Sequence, residues 1–480
     1  MPELTLRTLL LDHAWPVVAA VAHVAIAATL TVKIVRYKTT DREALSWVGL
    51  VWLSPFIGWI LYALIGINRV NRKAIRLRTR RPAPLPSSAG PAMLAEESPR
   101  PDIARYLDTI GPRRLLQGNR VQLIDGGDAA YGAMIEAIRQ AKHSVGLCTY
   151  IFGNDRAGLP IVEALAAASA RGVQVRVLID GVGSLYSYPS ILRELRRRGV
   201  RAERFLWTLD PSQMSLLNLR NHRKILTIDG VYAFVGSLNI REQFRRTLYG
   251  DAAAEDITVG VAGPVLGQIQ DVFALDWAFT TGETLAGPTW FPALTAVGST
   301  PARVLPAGPD EDIGDTALTW HAALACAQRR VRIITTYFTP DDPLIAALGD
   351  AARRGVQVDI LIPGKSNLPF VNWAAFHMMP RLLDHGVRIW LSGPPFDHTK
   401  AIIVDEDWCA FGSPNWDARS LRLNFELLIE AYGEEPAAEF NALWEHRYAR
   451  AMPLTLAMIK ARTFPEQLRD GLMLLTKPYL

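Results

Sequence analysis

Cysteine is scarce in this chain. Cys148, Cys326 and Cys409 stand far apart with no C-x-x-C spacing, which excludes a disulfide framework and a zinc knuckle and fits a reducing compartment. No cluster of histidines, cysteines and carboxylates has the spacing of a metal site, so neither metal nor cofactor is expected. A net charge of +5 asks for an anionic partner, either nucleic acid or an acidic membrane surface. Charge alone does not choose between them. Stripes that interleave aromatic and basic residues, as a single-strand binder needs, are lacking, and no nucleic acid is expected. Apolar residues are not lacking: at 49% of 480 residues they can build two compact domains, or one large pseudo-symmetric one, without covalent staples.

Two long apolar runs open the chain. Trp15 to Val32 is almost continuous, and Ala44 to Ile67 is interrupted mildly by Ser46, Ser54 and Pro55. Each approaches the ~20 residues with which a helix crosses a bilayer. They predict a membrane anchor over 1–78 containing a two-helix transmembrane hairpin. A cleaved signal peptide is the alternative for the first run, although Glu3, Asp12 and the second run weigh against it; a buried helix is another. Lys33, Arg36, Lys38 and Arg42 lie between the runs, whereas Arg69, Arg72, Lys73, Arg76, Arg78, Arg80 and Arg81 follow the second. By the excess of basic residues beside the spans, the large C-terminal part is placed in the cytoplasm.

Residues 79–101, rich in Pro, Ala and Ser, read as a linker. Beyond it, strand-like and helical patterns alternate in α/β fashion, predicting mixed sheets flanked by helices. The chain also repeats itself. ARGVQVRVLIDG at 170–181 returns as RRGVQVDILIPG at 353–364, CTYIF at 148–152 as TTYFT at 335–339, and RGVRA at 198–202 as HGVRI at 385–389. Two homologous halves, 102–290 and 300–450, account for this economically, and two repeats are too few for a solenoid. A tail over 451–480 follows. In it Phe464, Leu468, Leu472 and Leu475 recur at helical spacing, which suits either a helix lying on the membrane near the site or one closing the second half's core. The segment LPFVNWAAFHMM at 368–379 is likewise open between an acyl groove and core packing.

Each half ends in the same constellation. His222, Lys224, Asp229, Gly236, Ser237 and Asn239 are matched at identical spacing by His398, Lys400, Asp405, Gly412, Ser413 and Asn415. Six fixed types would coincide on the order of 10⁻⁸ per start position at roughly 5% usage each, so chance is excluded. A lone His-x-Lys is ordinarily a surface pair and a Ser-x-Asn after Gly is ordinarily turn chemistry; duplication reverses both readings. His13, His143, His321, His377, His385 and His446 have no such company and receive no role. Alternation along a strand puts His222 and Lys224 on one face, and His398 and Lys400 likewise. The chain then turns at Asp229-Gly230 and returns Ser237 and Asn239 beside the pair.

Brought face to face, the halves surround one phosphate. A neutral imidazole can attack phosphorus while a protonated one opposite supplies the proton for the departing alkoxide. Lys224, Lys400, Asn239 and Asn415, assisted by Ser237 and Ser413, would hold the non-bridging oxygens, the work often given to magnesium. The near-symmetric motifs do not say which histidine attacks. Each imidazole needs an acid beyond its motif to orient its other nitrogen. Glu426 is the candidate in the second half, and Asp256 or Glu255 in the first.

The duplicated H-x-K-x4-D-x6-G-S-x-N signature resembles that of the phospholipase D superfamily. With the apolar runs, the linker, DWAFTTGE at 276–283 and HTK…GSPNWDARSLRLNFE at 398–426, essentially the whole chain resembles bacterial cardiolipin synthases. The resemblance implies two pseudo-symmetric phospholipase D-like halves behind the hairpin. It implies condensation of two phosphatidylglycerol molecules into cardiolipin and glycerol at a bacterial inner membrane, with His222 as nucleophile and His398 as acid. Phosphatidylglycerol, other anionic phospholipids and the bilayer are the implied partners. Asp229 and Asp405 would belong to the catalytic signature, supporting its architecture. Phosphatidylserine synthases and hydrolytic phospholipases D of the same superfamily share the chemistry and differ in acceptor.

Overall fold

The computed structural model describes residues 15–37, 41–62, 94–95, 98–208, 218–309 and 315–477. It divides into two compact units, Met1–Arg72 and Lys73–Leu480.

In the first unit, Trp15–Tyr37 forms a 23-residue helix, the one helix among the described residues long and apolar enough to cross a membrane. The second apolar run differs from expectation. It makes a 13-residue helix, Asp41–Leu53, breaks over 54–56, and resumes only for Ile57–Leu61. Pro55 has no amide hydrogen to give and Phe56 takes a φ of 64°, and both interrupt a helical ladder. The broken run packs on the long helix: the Trp52 indole donates to Thr31 at 2.9 Å, and Ala27, Ile34, Val51 and Tyr62 are buried together. Residues 63–67 of the expected second span lie outside the described residues.

The second unit is organised by one mixed 16-stranded sheet. Its first strands are β1 (Leu116–Asp125), β2 (Ser144–Thr149), β3 (Gln174–Asp180), β4 (Arg201–Phe205), β5 (Arg220–Asn221), β6 (Ile225–Ile228), β7 (Tyr232–Gly236) and β8 (Ile257–Ala262). After them come β9 (Thr300–Ala307), β10 (Arg330–Ile334), β11 (Phe338–Thr339), β12 (Gln357–Pro363), β13 (Arg388–Ser392), β14 (Ala401–Val404), β15 (Trp408–Gly412), β16 (Trp416–Asp417), β17 (Asn424–Tyr432) and β18 (Ala451–Pro453). Read from one edge, the order is β4-β3-β2-β6-β7-β8-β1, and then β9-β17-β15-β14-β10-β12-β13-β18. Parallel pairs β2–β3–β4 answer parallel pairs β10–β12–β13, and β1 meets β9 antiparallel at the middle. The repeated RGVQV leads into β3 and β12, which hold corresponding places. β11 and β16 pair separately.

Helices cover the sheet, which is why β14 and β15 read as unbroken apolar runs and why β2 is likewise buried throughout. One core gathers Ile138, Phe152, Leu165 and Val177; the other gathers Trp320, Leu348, Ile360 and Trp408. Two segments pack across the expected boundaries. Helix Pro101–Leu107 buries Ile103, Ala104 and Leu107 in the second of these cores, not in the half that follows it in sequence. The end of the linker is held too: Leu94 bridges to Leu116, and buried Arg100 donates to Asp405 at 3.0 Å, to Asp407 at 3.2 Å and to the Cys326 carbonyl at 2.7 Å. An arginine fixed by three carboxylates, Asp102, Asp405 and Asp407, cannot serve as loose tether.

Candidate active site

Both histidines open on one cavity of about 390 Å³. Each lies in the short extended segment between paired strands, just before β6 or β14. The segment is fixed across the sheet's two ends of sequence. β5 pairs in parallel with the start of β17, and His222 N donates to Phe425 O at 2.9 Å. Glu255 bridges in parallel to Asp397, and His398 N donates to Glu255 O at 2.8 Å.

This exchange corrects the expected pairing of acids. Glu426, the residue after Phe425, takes His222, with Nδ1 3.0 and 3.1 Å from its carboxylate oxygens. Asp256, the residue after Glu255, takes His398, with Nδ1 to Oδ2 at 2.7 Å. Each acid therefore orients the histidine of the other motif. Glu255 itself turns to Arg450 and Arg447. With Nδ1 occupied by a carboxylate, Nε2 is left for the cavity, the tautomer a nucleophile or a base needs.

The serines also depart from expectation. Ser237 Oγ donates to Asp256, and Ser413 Oγ accepts from Leu427 N at 2.9 Å beside Glu426, whose charged form it helps to hold. Both hydroxyls serve the orienting carboxylates instead of the cavity, because the strands carrying them run directly beside β8 and β17. The asparagines do reach the cavity. Asn239 Oδ1 accepts from Ile151 N at 3.2 Å, and Asn415 Oδ1 has no hydrogen-bond partner among the described residues. The lysines are buried beside the histidines. Lys224 Nζ donates to His222 O at 2.6 Å; Lys400 Nζ donates to His398 O at 2.6 Å and Thr336 Oγ1 at 3.0 Å, and lies 3.3 Å from His398 Nε2.

Asp229 and Asp405 are not in the cavity. Asp229 accepts from the backbone N–H groups of Lys142, His143 and Ser144 at 2.7–3.1 Å, and Asp405 from those of Gln328, Arg329 and Arg330 at 2.7–3.1 Å. They cap the approaches to β2 and β10 from left-handed turns, with φ of 52° and 53°. The intervening strand carries them to the opposite end from the histidines.

Burial dominates the electrostatics. It pushes His222 and His398 down to about 4, outweighing the attraction of Glu426 and Asp256, and the lysines push in the same direction. It brings Lys224 to about 7 and Lys400 to about 8. Burial works against the charge of Glu426 as well, yet His222, Lys224 and Ser413 hold its pKa down at about 2. A site that strains four cationic groups toward neutrality is preorganised for a buried anion, which relieves the strain on entering.

Sequence reasoning missed the groups that frame this set. Buried Arg223 donates to Asp276 at 2.6 Å, to Glu426 O at 2.9 Å and to Ala307 O at 3.1 Å, and Asn221 donates to Asp276 at 2.9 Å. Asn424 donates to Glu426 at 3.0 Å. Tyr150 packs its ring 5.2 Å from His222, and Arg220, Asp417 and Arg419 line the same cavity. Asp276 lay in the DWAFTTGE segment, Asp417, Arg419 and Asn424 in the run at 398–426, and Tyr150 in the repeated CTYIF, but nothing in those segments marked which side chains meet the site. Among the described residues, no three or more His, Cys, Asp or Glu groups are placed to hold a metal ion.

The family model described as "Cardiolipin synthase, PLD-like domain" matches residues 134–277 and 321–448, which contain both histidine motifs and both orienting acids. The chain belongs to this family. A cardiolipin synthase of Geobacillus thermodenitrificans is 28% identical over 91% of this chain and 89% of its own length. A "Cardiolipin synthase 2" of Bacillus anthracis is 30% identical over 80% of this chain and 76% of its own. Among solved structures, the phosphatidylserine synthase of Haemophilus influenzae is similar in fold, with a TM-score of 0.58 over 79% of this chain and 100% of that one at 14% identity.

Proposed function

We propose that the protein is a phosphatidyltransferase that condenses two phosphatidylglycerol molecules into cardiolipin and glycerol through a phosphohistidine. The observation that carries the reading is the pair of buried imidazoles facing one cavity, each fixed through Nδ1 by a carboxylate and each with a lysine buried beside it. His222 Nε2 attacks phosphorus, and the bond to the glycerol oxygen breaks as His398 gives that oxygen a proton. His398, then neutral, takes the proton of the hydroxyl of the next phosphatidylglycerol as that oxygen attacks phosphorus and His222 departs. The phosphodiester charge raises His398 from its depressed value, so substrate binding itself supplies the acid. Lys224, Lys400, Asn239 and Asn415 hold the non-bridging oxygens; Asp256, Glu426, Ser237 and Ser413 position the imidazoles. Asp229 and Asp405 brace the strands.

The same reading treats the catalytic unit as two pseudo-symmetric halves, 102–290 and 300–450, which the mirrored strand order supports. It places the chain in a bacterial cell membrane, with Trp15–Tyr37 spanning, the broken run folded against it as the second arm of a hairpin, and the catalytic part in the cytoplasm. Lipids from a cardiolipin-deficient host expressing the chain, measured by mass spectrometry, test the activity. Cardiolipin should appear. Purified enzyme offered glycerol, serine, ethanolamine or water separates the rivals: phosphatidylserine as main product would make it a serine transferase, and phosphatidic acid a hydrolase.

A further inference from the structure

The C-terminal helix Phe464–Leu474 is arranged in reverse for a helix that closes a core. Its one fully buried residue is Asp470, 3% exposed, held by Arg462 at 2.7 Å and Arg469 at 2.9 Å. Phe464, Leu468, Leu472 and Leu475 are 75%, 52%, 51% and 75% exposed. Their spacing puts them in one stripe, so a contiguous apolar band faces outward while the charged residues face in. The inner side is well fastened. The Arg469 guanidinium sits 4.3 Å from the Trp373 ring, that of Arg462 sits 4.6 Å from the Phe376 ring, and Lys477 donates to Pro340 O at 2.5 Å. Trp373 and Phe376 belong to helix Pro369–Asp384, whose opening residues Phe370 and Val371 line the catalytic cavity. One helix thus carries the cavity wall at its start and the outward stripe on its back.

We infer that this stripe docks on an anionic phospholipid bilayer and holds the cavity mouth at the headgroup layer, so that a headgroup enters while its acyl chains stay in the membrane. The inference rests on the proposed lipid substrate. Charge favours this occupant: residues 460–477 carry Lys460, Arg462, Arg469 and Lys477 against Glu466 and Asp470, so the segment is net positive although Arg462, Arg469 and Lys477 are fastened on its inner side. The helix is formed beforehand, with Thr463 and Glu466 making a capping box, so docking carries no cost of folding. Exposed Phe370, on the helix that carries the stripe on its back, adds an apolar group at the cavity lining.

The full chain, reconstituted in vesicles, tests it. With Cys326 replaced by Ala, and Cys148 and Cys409 buried, a nitrobenzoxadiazole probe on Leu472→Cys reports its surroundings. In phosphatidylglycerol vesicles its emission should shift to the blue and be quenched by nitroxide-labelled lipid, and less so in phosphatidylcholine. Phe464→Ser, Leu468→Ser, Leu472→Ser and Leu475→Ser together should cut turnover of vesicle lipid on the order of tenfold, with turnover in detergent micelles within about twofold and the melting temperature unchanged. A probe that stays aqueous in phosphatidylglycerol vesicles overturns the inference. So does equal loss in vesicles and micelles, a lowered melting temperature, or conversion of a larger assembly to a smaller one by the serine variant, which would make the stripe a core or self-association surface. The probe reads docking without catalysis, so a docked protein that makes no cardiolipin would sink the proposed activity and leave the docking intact.

Discussion

The exchange of acids makes a prediction opposite to the one the sequence invites. If Glu426 orients His222 and Asp256 orients His398, the conservative variants Glu426→Gln and Asp256→Asn should fail at different steps. Each removes a charge-assisted hydrogen bond of 3.0 or 2.7 Å from a fully buried pair. Such a bond contributes about 1.5–3 kcal/mol, or roughly 10- to 150-fold in the step that needs it. With an activated phosphatidyl donor whose leaving group needs no proton, Glu426→Gln should slow formation of the acid-labile histidine adduct by that factor. Asp256→Asn should form the adduct at near the normal rate but accumulate it, because the acceptor hydroxyl has lost its base. His398→Ala should behave like Asp256→Asn, and adding Asp256→Asn to His398→Ala should cost little more, since the carboxylate acts through the ring. Rapid quenching followed by peptide mapping gives both rates and the site. The opposite assignment of the acids, with Glu426→Gln non-additive with His398→Ala, would refute the crossed geometry. An adduct on His398 in the His222→Ala protein would reverse the roles, and no adduct in any variant would argue for single-step transfer.

The pH dependence of kcat/KM reports the empty site, so it should lack an acid limb near 6.5; because the reaction takes up a proton at His398, held at about 4 in the empty site, kcat/KM should already fall as pH rises above about 4, and more steeply as Lys224 and Lys400 lose their protons near 7 and 8. For stability the sign is the reverse: because the folded lysine pKa values lie below the unfolded ones, the unfolded chain binds more protons between about pH 7 and 10. Stability of the ligand-free protein contributed by these groups should therefore rise with pH across that window, and tungstate should raise the melting temperature most at neutral pH; an effect of tungstate that grows with pH would contradict this. Asp229→Ala should cost on the order of 2–4 kcal/mol in chemical denaturation, with turnover per folded molecule near normal. Asp405→Ala should cost more, about 3–5 kcal/mol, because it also strips buried Arg100 of a carboxylate. If either variant folds as stably as the parent yet has no activity, the bracing role is wrong. EDTA should leave turnover intact, since Lys224 and Lys400 supply the positive charge at phosphorus; loss restored by one specific ion would refute that.

The duplicated motif, the repeated RGVQV and the α/β alternation were legible because each is local: a spacing, a phrase, a period. The partner of each histidine was not. Glu426 and His222 are 204 residues apart, and what brings them together is the parallel pairing of β17 with β5, a register that leaves no signature in either segment alone. The remoteness of Asp229 from the cavity fits the supporting role expected of it: four residues of extended chain lie between it and Lys224, and the five rises cover roughly 16 Å. The outward stripe of the last helix shows the opposite limit. Periodicity reveals that a helix has two faces, but which face is inside depends on Trp373 and Phe376, whose cation–π contacts draw the arginines inward. The broken second apolar run was marked by Pro55, whose effect hydropathy alone understates.

Two near-identical motifs create a difficulty that the cavity walls address. A pocket with true twofold symmetry would hold a phosphodiester equally well in either direction, and could not assign one imidazole to attack and the other to proton transfer. The motif positions are symmetric, but their neighbours are not. Two residues before the histidine stands Arg220 in one motif and Phe396 in the other; two after the asparagine stands Arg241 or Asp417; four after it stands Gln243 or Arg419. All six line the cavity. Tyr150 is the aromatic neighbour of His222 at 5.2 Å, whereas Phe244 and Phe396 lie 6.1 and 6.2 Å from His398. Burial first, and then the nearby charge of Arg220, lower the pKa of Arg419, so the wall carrying these two arginines is a place where positive charge is held at a cost. On the proposed division of roles, the apolar rings stand where the acceptor hydroxyl must lose its proton to His398. A wall of phenylalanines there gives water few partners beside the base, while an acceptor anchored in the membrane needs none, which favours transfer over hydrolysis.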